Sequence, residues 1–142
     1  MTARYFIDTN ILLYAGSHAK EDAAKRQRAI ELLKMPGVGF SAQVLQEYYH
    51  VAHRKQRLAI SHAEAMASLQ ALSKRTVVPI TASIVILAAQ LAERHQLSYW
   101  DAAILAAAQT LTCEILYTED LNDGQLFDSV RVRNPFTTNG IG

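Results

Sequence analysis

Apolar and polar positions alternate along the chain in blocks that read as short strands followed by helices. Residues 4–7 are bulky and predict a strand that ends in the polar turn Asp8-Thr9-Asn10, with a short helix over 11–15 capped by Thr9 or Asn10. Residues 20–34 read as a helix, polar in its first half, with Ile30, Leu32 and Leu33 turned inward and Met35-Pro36-Gly37 as its stop. Residues 38–40 are β-like, and Ser41 then caps a helix to about 55. Ser61 and Glu64 form a capping box that opens a helix carrying Met66, Leu69 and Leu72 at helical spacing.

Residues 76–80 predict a strand whose Pro79 suits an end or an edge. Thr81 and Ser98 cap helices over roughly 82–95 and 99–111, and strands follow at 114–117 and 130–132. This alternation indicates an α/β fold with a mostly parallel central sheet covered by helices. No repeat or linker interrupts it. Residues 1–136 read as a single domain and 137–142 as a flexible tail.

Composition narrows the classes. The chain has 142 residues, 50% hydrophobic and 19% charged, as in a globular domain able to bury its own core. One cysteine, Cys113, excludes an internal disulfide and a cysteine zinc cage and fits a reducing compartment. No basic-then-apolar leader opens the sequence, and the longest nearly apolar run, residues 84–92, is too short to span a bilayer. A cytoplasmic protein without membrane contact is expected. The net charge of +1 advertises no nucleic acid, so any such contact must come from a local basic patch.

Four carboxylates carry the candidate chemistry. Asp8 stands at the carboxyl end of the first strand, where α/β folds bind ligands; alone it is equally a turn residue bonded to nearby amides. Glu47 shares a helical face with Val44 and Val51, while a solvated glutamate belongs on the side of Gln46 and His50. Asp101 follows Ser98 at capping-box spacing and opens a helix that is apolar nearly all round, which draws it inward. Asp120 repeats the strand-end placement of Asp8, and Thr118 offers a hydroxyl to orient a neighbouring carboxylate. Glu119 and Asp123 are further acids of that loop, read as solvated turn residues.

If the four converge, each like-charge pair costs about 4 kcal/mol at roughly 4 Å with an effective dielectric of about 20. They then retain protons or take up a cation. Oxygen donors alone select a hard ion such as Mg²⁺ or Mn²⁺, which favours phosphodiester chemistry.

The strand ending in Asp8-Thr9-Asn10, then Ser41 to Glu47, then Tyr99-Trp100-Asp101, then Thr118-Glu119-Asp120, resembles the PIN-domain ribonucleases, and among them the VapC-type toxins of bacterial toxin–antitoxin pairs. The resemblance covers residues 4–136, and nothing in the acid set departs from the pattern. It implies a three-layer PIN-like fold with four or five short, mostly parallel strands between helices on both sides. It implies that Asp8, Glu47, Asp101 and Asp120 bind Mg²⁺ or Mn²⁺, with Asn10, Thr118 and Asp123 as accessory polar groups. It further implies an endoribonuclease, usually a homodimer, silenced by a cognate antitoxin.

Two basic clusters are candidates for RNA contact: His53, Arg54, Lys55 and Arg57 near the end of the Ser41 helix, and Lys20, Lys25, Arg26 and Arg28 on the second helix. Both are equally charged faces or helix-end cations. Tyr48, Tyr49 and Trp100 are read as core or dimer contacts that also suit base stacking. Two other functions stay open. A phosphotransfer domain would use Asp8 as nucleophile, but a phosphatase of that type wants an aspartate where Asn10 stands, and a receiver module wants a late lysine while none follows Lys74. A non-catalytic binding module is the third reading.

Overall fold

Six strands and six helices alternate in the computed structural model, which describes residues 1–137. They are β1 (Tyr5–Ile7), α1 (Thr9–Gly16), α2 (Ala23–Leu33), β2 (Val38–Ser41), α3 (Ala42–Arg54), α4 (His62–Ser73), β3 (Thr76–Val78), α5 (Ala82–His95), α6 (Tyr99–Thr110), β4 (Ile115–Tyr117), β5 (Leu126–Phe127) and β6 (Val130–Arg133). Short 3₁₀ turns at Lys20–Asp22 and Gln56–Leu58 precede α2 and α4.

The strands form one sheet in the order β3-β2-β1-β4-β6-β5, parallel throughout except for the β5–β6 pair. From β1 the chain steps outward twice on one side, through α1 and α2 to β2 and through α3 and α4 to β3. It then returns through α5 and α6 to β4 on the other side of β1. Right-handed crossovers in opposite directions put the two helix groups on opposite faces, giving three layers. Helices α1 to α4 pack on one another accordingly, and α5 packs chiefly on α6.

Residues of β1, β2 and β4 are buried on both faces, as a covered parallel sheet requires. Gly39 in β2 has no room for a side chain: a Cβ there would lie 2.7 Å from Ala3 Cβ and 2.9 Å from Leu111 Cδ1. Residues 102–108 of α6 are buried throughout, as the all-apolar pattern predicts.

Several expectations are corrected. The sheet has six strands rather than four or five, because β5 is a two-residue antiparallel addition with no periodicity to reveal it. Residues 20–34 divide into a 3₁₀ turn and α2, and the 76–80 strand stops at Val78, with Pro79 following an edge strand. The cap of α1 is Asp8, not Thr9 or Asn10, since its carboxylate accepts from Thr9 N–H. Of the expected tail, residues 138–142 lie outside the described residues, while Thr137 donates to Asp123 and to the Asn134 carbonyl.

Candidate active site

The order β2-β1-β4 makes the space between β1 and β4 a switch point, where chain connections leave in opposite directions and a crevice opens at the strands' carboxyl ends. Asp8 and Thr118 leave those two strands side by side. Asp8 is 6% exposed, and its Oδ1 accepts from Thr9 N–H at 2.7 Å while its Oδ2 accepts from Thr118 Oγ1 at 2.7 Å. Burial pushes the Asp8 carboxyl up to about 6; the two hydrogen bonds oppose the shift, and the charges of Asp120 and Glu47 add to it.

Glu47 reaches the same place from α3. Thr9 Oγ1 donates to its Oε2 at 3.0 Å and Gln43 Nε2 to its Oε1 at 2.9 Å. Glu47 is half-buried while Gln46 and His50 are exposed, as the helical face predicts. Thr118 Oγ1 also accepts from Asp120 N–H at 3.1 Å, so one buried hydroxyl fixes both strand-end acids. Burial raises the Asp120 carboxyl, with the charges of Asp101, Glu119 and Glu47 adding to it and a hydrogen bond from Asn10 opposing it.

Asp101 stands in the first turn of α6, where Ser98 Oγ accepts its N–H at 3.1 Å. The reciprocal carboxylate bond of a capping box forms at Ser61 and Glu64 but not here, so the Asp101 carboxylate is not consumed by the cap. It lies within electrostatic reach of Asp120, and Gln43 ties the adjacent Trp100 carbonyl to the helix of Glu47 at 3.4 Å. The N-termini of α1 and α6 thus both point their positive ends at this group of acids, which lowers the cost of assembling it.

A cleft of about 330 Å³ opens over these residues, lined by Asp8, Glu47, Asp120, Tyr14, Lys55 and Arg57 among others. Asp101 is not among the residues that line the cleft. The predicted accessory residues divide. Thr118 is central and fully buried, and Asn10 lines the cleft with its Oδ1 buried and unpartnered. Asp123 is outside: it accepts from Asn134 N–H at 2.9 Å and from Thr137, and so ties down the end of the chain.

The basic clusters divide as well. Lys55 and Arg57 line the cleft, and Arg57 is anchored to Asp22 at 2.9 Å and Glu21 at 3.1 Å. Arg54 pairs with His50 on the surface, and His53 stacks on Tyr49, whose hydroxyl meets His62. In the second cluster Lys25 bonds Glu119, Arg26 bonds the Ser17 carbonyl and Arg28 the Pro135 carbonyl, all structural contacts. Tyr48 is core, while Trp100 is 65% exposed. Sequence reasoning missed Tyr14, Lys25 and Glu119 as a group, because only the fold brings residues some hundred positions apart together.

The donors suit a hard divalent cation. They are all oxygen, two of the carboxyls are held above the ordinary range by burial and by one another, and a buried amide oxygen of Asn10 lacks a partner. Among the described residues no three acids already close on one point, so the acids stand apart rather than form a finished cage.

A family model for the PIN domain matches residues 5–130. Similar solved structures include the Mycobacterium tuberculosis toxin VapC20, described as cleaving the sarcin-ricin loop (24% identical, TM-score 0.64, covering 82% of this chain and 89% of that one). A toxin–antitoxin complex from Klebsiella pneumoniae is similar at 24% identity and a TM-score of 0.67, over 93% of this chain and 98% of that one. VapBC2 from Rickettsia felis, bound to a promoter DNA fragment, is similar at 20% identity and a TM-score of 0.61, over 92% and 97%. These likenesses concern the fold. No curated protein matches the sequence. Since the family pattern runs from β1 into β6 and encloses every strand end that carries an acid, the chain belongs to the PIN-domain family.

Proposed function

We propose that this protein is an endoribonuclease dependent on Mg²⁺ or Mn²⁺ and the toxin of a type II toxin–antitoxin pair. The observation that carries the reading is Asp8: a carboxyl buried at a switch point beside Glu47 and Asp120 has no compensating cation among its neighbours, and none of its hydrogen bonds cancels the cost of its charge. A hard divalent ion held by Asp8, Glu47, Asp101 and Asp120 supplies that charge. When bound, it activates water and stabilises the negative charge that develops at phosphorus.

The chain's own residues do the rest. Thr118 and Thr9 orient Asp8 and Glu47 toward the cleft, and Gln43 holds the second oxygen of Glu47. Asp8, Glu47, Asp101 and Asp120 would be the residues to hold the ion. Lys55, with Arg57 beside it, offers positive charge at the cleft wall for the phosphates on either side of the cut.

Similar folds described as toxins and toxin–antitoxin complexes support the antitoxin partner. No described helix is long and apolar enough to cross a membrane. The homodimer finds support in Ile80, Val85 and Ile86, large apolar side chains turned outward at the start of α5.

RNA incubated with the purified chain is cut in Mg²⁺ or Mn²⁺, is spared in a chelator, and is spared by Asp8→Asn and Asp101→Asn. Cleavage that persists in the chelator, or in both variants, overturns the proposal.

A further inference from the structure

Glu119 lies in the cleft wall next to Asp120, yet both of its oxygens are occupied. Tyr14 Oη donates to Oε1 at 2.7 Å and Lys25 Nζ to Oε2 at 3.0 Å, and the same ammonium donates to Tyr14 Oη at 3.2 Å. Lys25 Nζ sits 4.6 Å from the centre of the Tyr14 ring and 5.3 Å from that of Phe136, and the two rings meet edge-on at 5.1 Å. The group joins the last turn of α1, the first turn of α2, the turn after β4 and the segment after β6.

An ion pair on open surface orders little. This one differs in two ways. The Glu119 side chain is only 22% exposed, and the cation lies against two aromatic rings, which restricts where its amine can point. Phe136 is itself fixed, its N–H donating to Asn134 Oδ1 at 3.0 Å while Arg28 holds the Pro135 carbonyl at 3.3 Å.

The turn that carries Asp120 therefore hangs from two points. On one side Thr118 Oγ1 bonds Asp8 and accepts the Asp120 N–H. On the other Glu119 is fixed by Tyr14 and Lys25. The Asp120 backbone lies next to both anchors, so loosening the second one frees the acid to leave the cleft.

We propose that Lys25 is a positioning residue of the acid site: lying against Tyr14 and Phe136, it grips Glu119, thereby setting Asp120 against the cleft and keeping Glu119 out of the cation's ligand set. This rests on the nuclease reading above.

The test measures Mn²⁺ binding to the intact chain by titration calorimetry, together with the Mn²⁺ concentration that half-saturates RNA cleavage. Lys25→Met weakens Mn²⁺ binding about tenfold and raises the half-saturating concentration by the same factor, the size expected when a group that holds a metal ligand is lost. Lys25→Arg, which keeps a cation against the rings, restores most of the affinity. Glu119→Gln removes the charge without changing the shape and falls between wild type and Lys25→Met. A merely structural role lowers the melting temperature of the metal-free variants and leaves the Mn²⁺ affinity of the folded protein where it was. Unchanged or tighter Mn²⁺ binding by Lys25→Met and Glu119→Gln overturns the inference while the nuclease stands. A wild-type chain that neither binds Mn²⁺ nor cleaves RNA overturns both.

Discussion

Thr118 Oγ1 donates to Asp8 Oδ2 at 2.7 Å, a bond between residues 110 positions apart that closes the ends of β1 and β4 over the crevice. Both partners are buried, so water replaces the lost donor poorly. Thr118→Val keeps the shape and removes the hydrogen. A lost hydrogen bond to a buried charge costs about 2 kcal/mol, and the variant loses that much in urea denaturation at neutral pH. Thr118→Ser recovers most of it. A Thr118→Val protein as stable as wild type sinks the claim that this bond holds the site together.

The raised Asp8 carboxyl gives the metal-free protein a pH dependence of definite sign. Burial is the main cause, and the folded value of about 6 lies above the ordinary 3.8. The folded state thus keeps the proton more tightly than the unfolded chain. The stability from this group is present in full below about pH 4 and is lost as pH rises to about 6, a fall of roughly 3 kcal/mol. Asp120 is shifted in the same direction by burial and by Asp101. Denaturation at a series of pH values in a chelator shows the wild type weakening across that window, while Asp8→Asn shows much less of the slope and is the more stable of the two at pH 7. Parallel pH profiles for the two proteins contradict the assignment.

Much of the candidate site was legible because its residues sit where local rules place them. Asp8 and Asp120 are polar residues directly after apolar strands, and the position of Glu47 follows from helical periodicity with Val44 and Val51. The rest depended on the three-dimensional path. The helix expected to run to about 55 ends at Arg54, and a 3₁₀ turn follows from Gln56 to Leu58, so the directions of Lys55 and Arg57 cannot be extrapolated from a 3.6-residue repeat. Lys25 looks like one more cation on a polar helix face, and its capture of Glu119 across 94 positions leaves no trace in either neighbourhood. Asp123 shares the loop of Asp120 but points toward the chain end, a choice made by the turn and by Asn134.

The divided basic cluster predicts unequal effects on RNA binding. Lys55 lines the cleft, whereas His53 lies exposed against Tyr49 on another side of α3. In an Asp101→Asn background that binds without cutting, Lys55→Ala weakens binding to every RNA sequence alike. It lowers the slope of log affinity against log salt by about 0.7, the value for one phosphate of a single strand. His53→Ala leaves affinity and slope unchanged. Filter binding across a salt series decides it, and an equal loss for both variants removes Lys55 from its assigned role.

The outward face at the start of α5 predicts the assembly state. Ile80, Val85 and Ile86 are 49%, 39% and 59% exposed, on a segment where a solitary domain would carry charge. Covered by a second copy, these side chains lose their contact with water, and Ile86 contributes most because it protrudes furthest. The wild type then scatters light as a particle of twice the 15.7 kDa chain mass. Ile86→Glu places a charge in the covered face, where it has no partner in the described chain, and weakens the dimer at least about tenfold. Its melting temperature at low concentration matches that of the wild-type monomer, since the side chain is exposed within the single chain. Wild-type protein that stays monomeric at high concentration rejects the homodimer, and an Ile86→Glu dimer of undiminished strength moves the interface to another face.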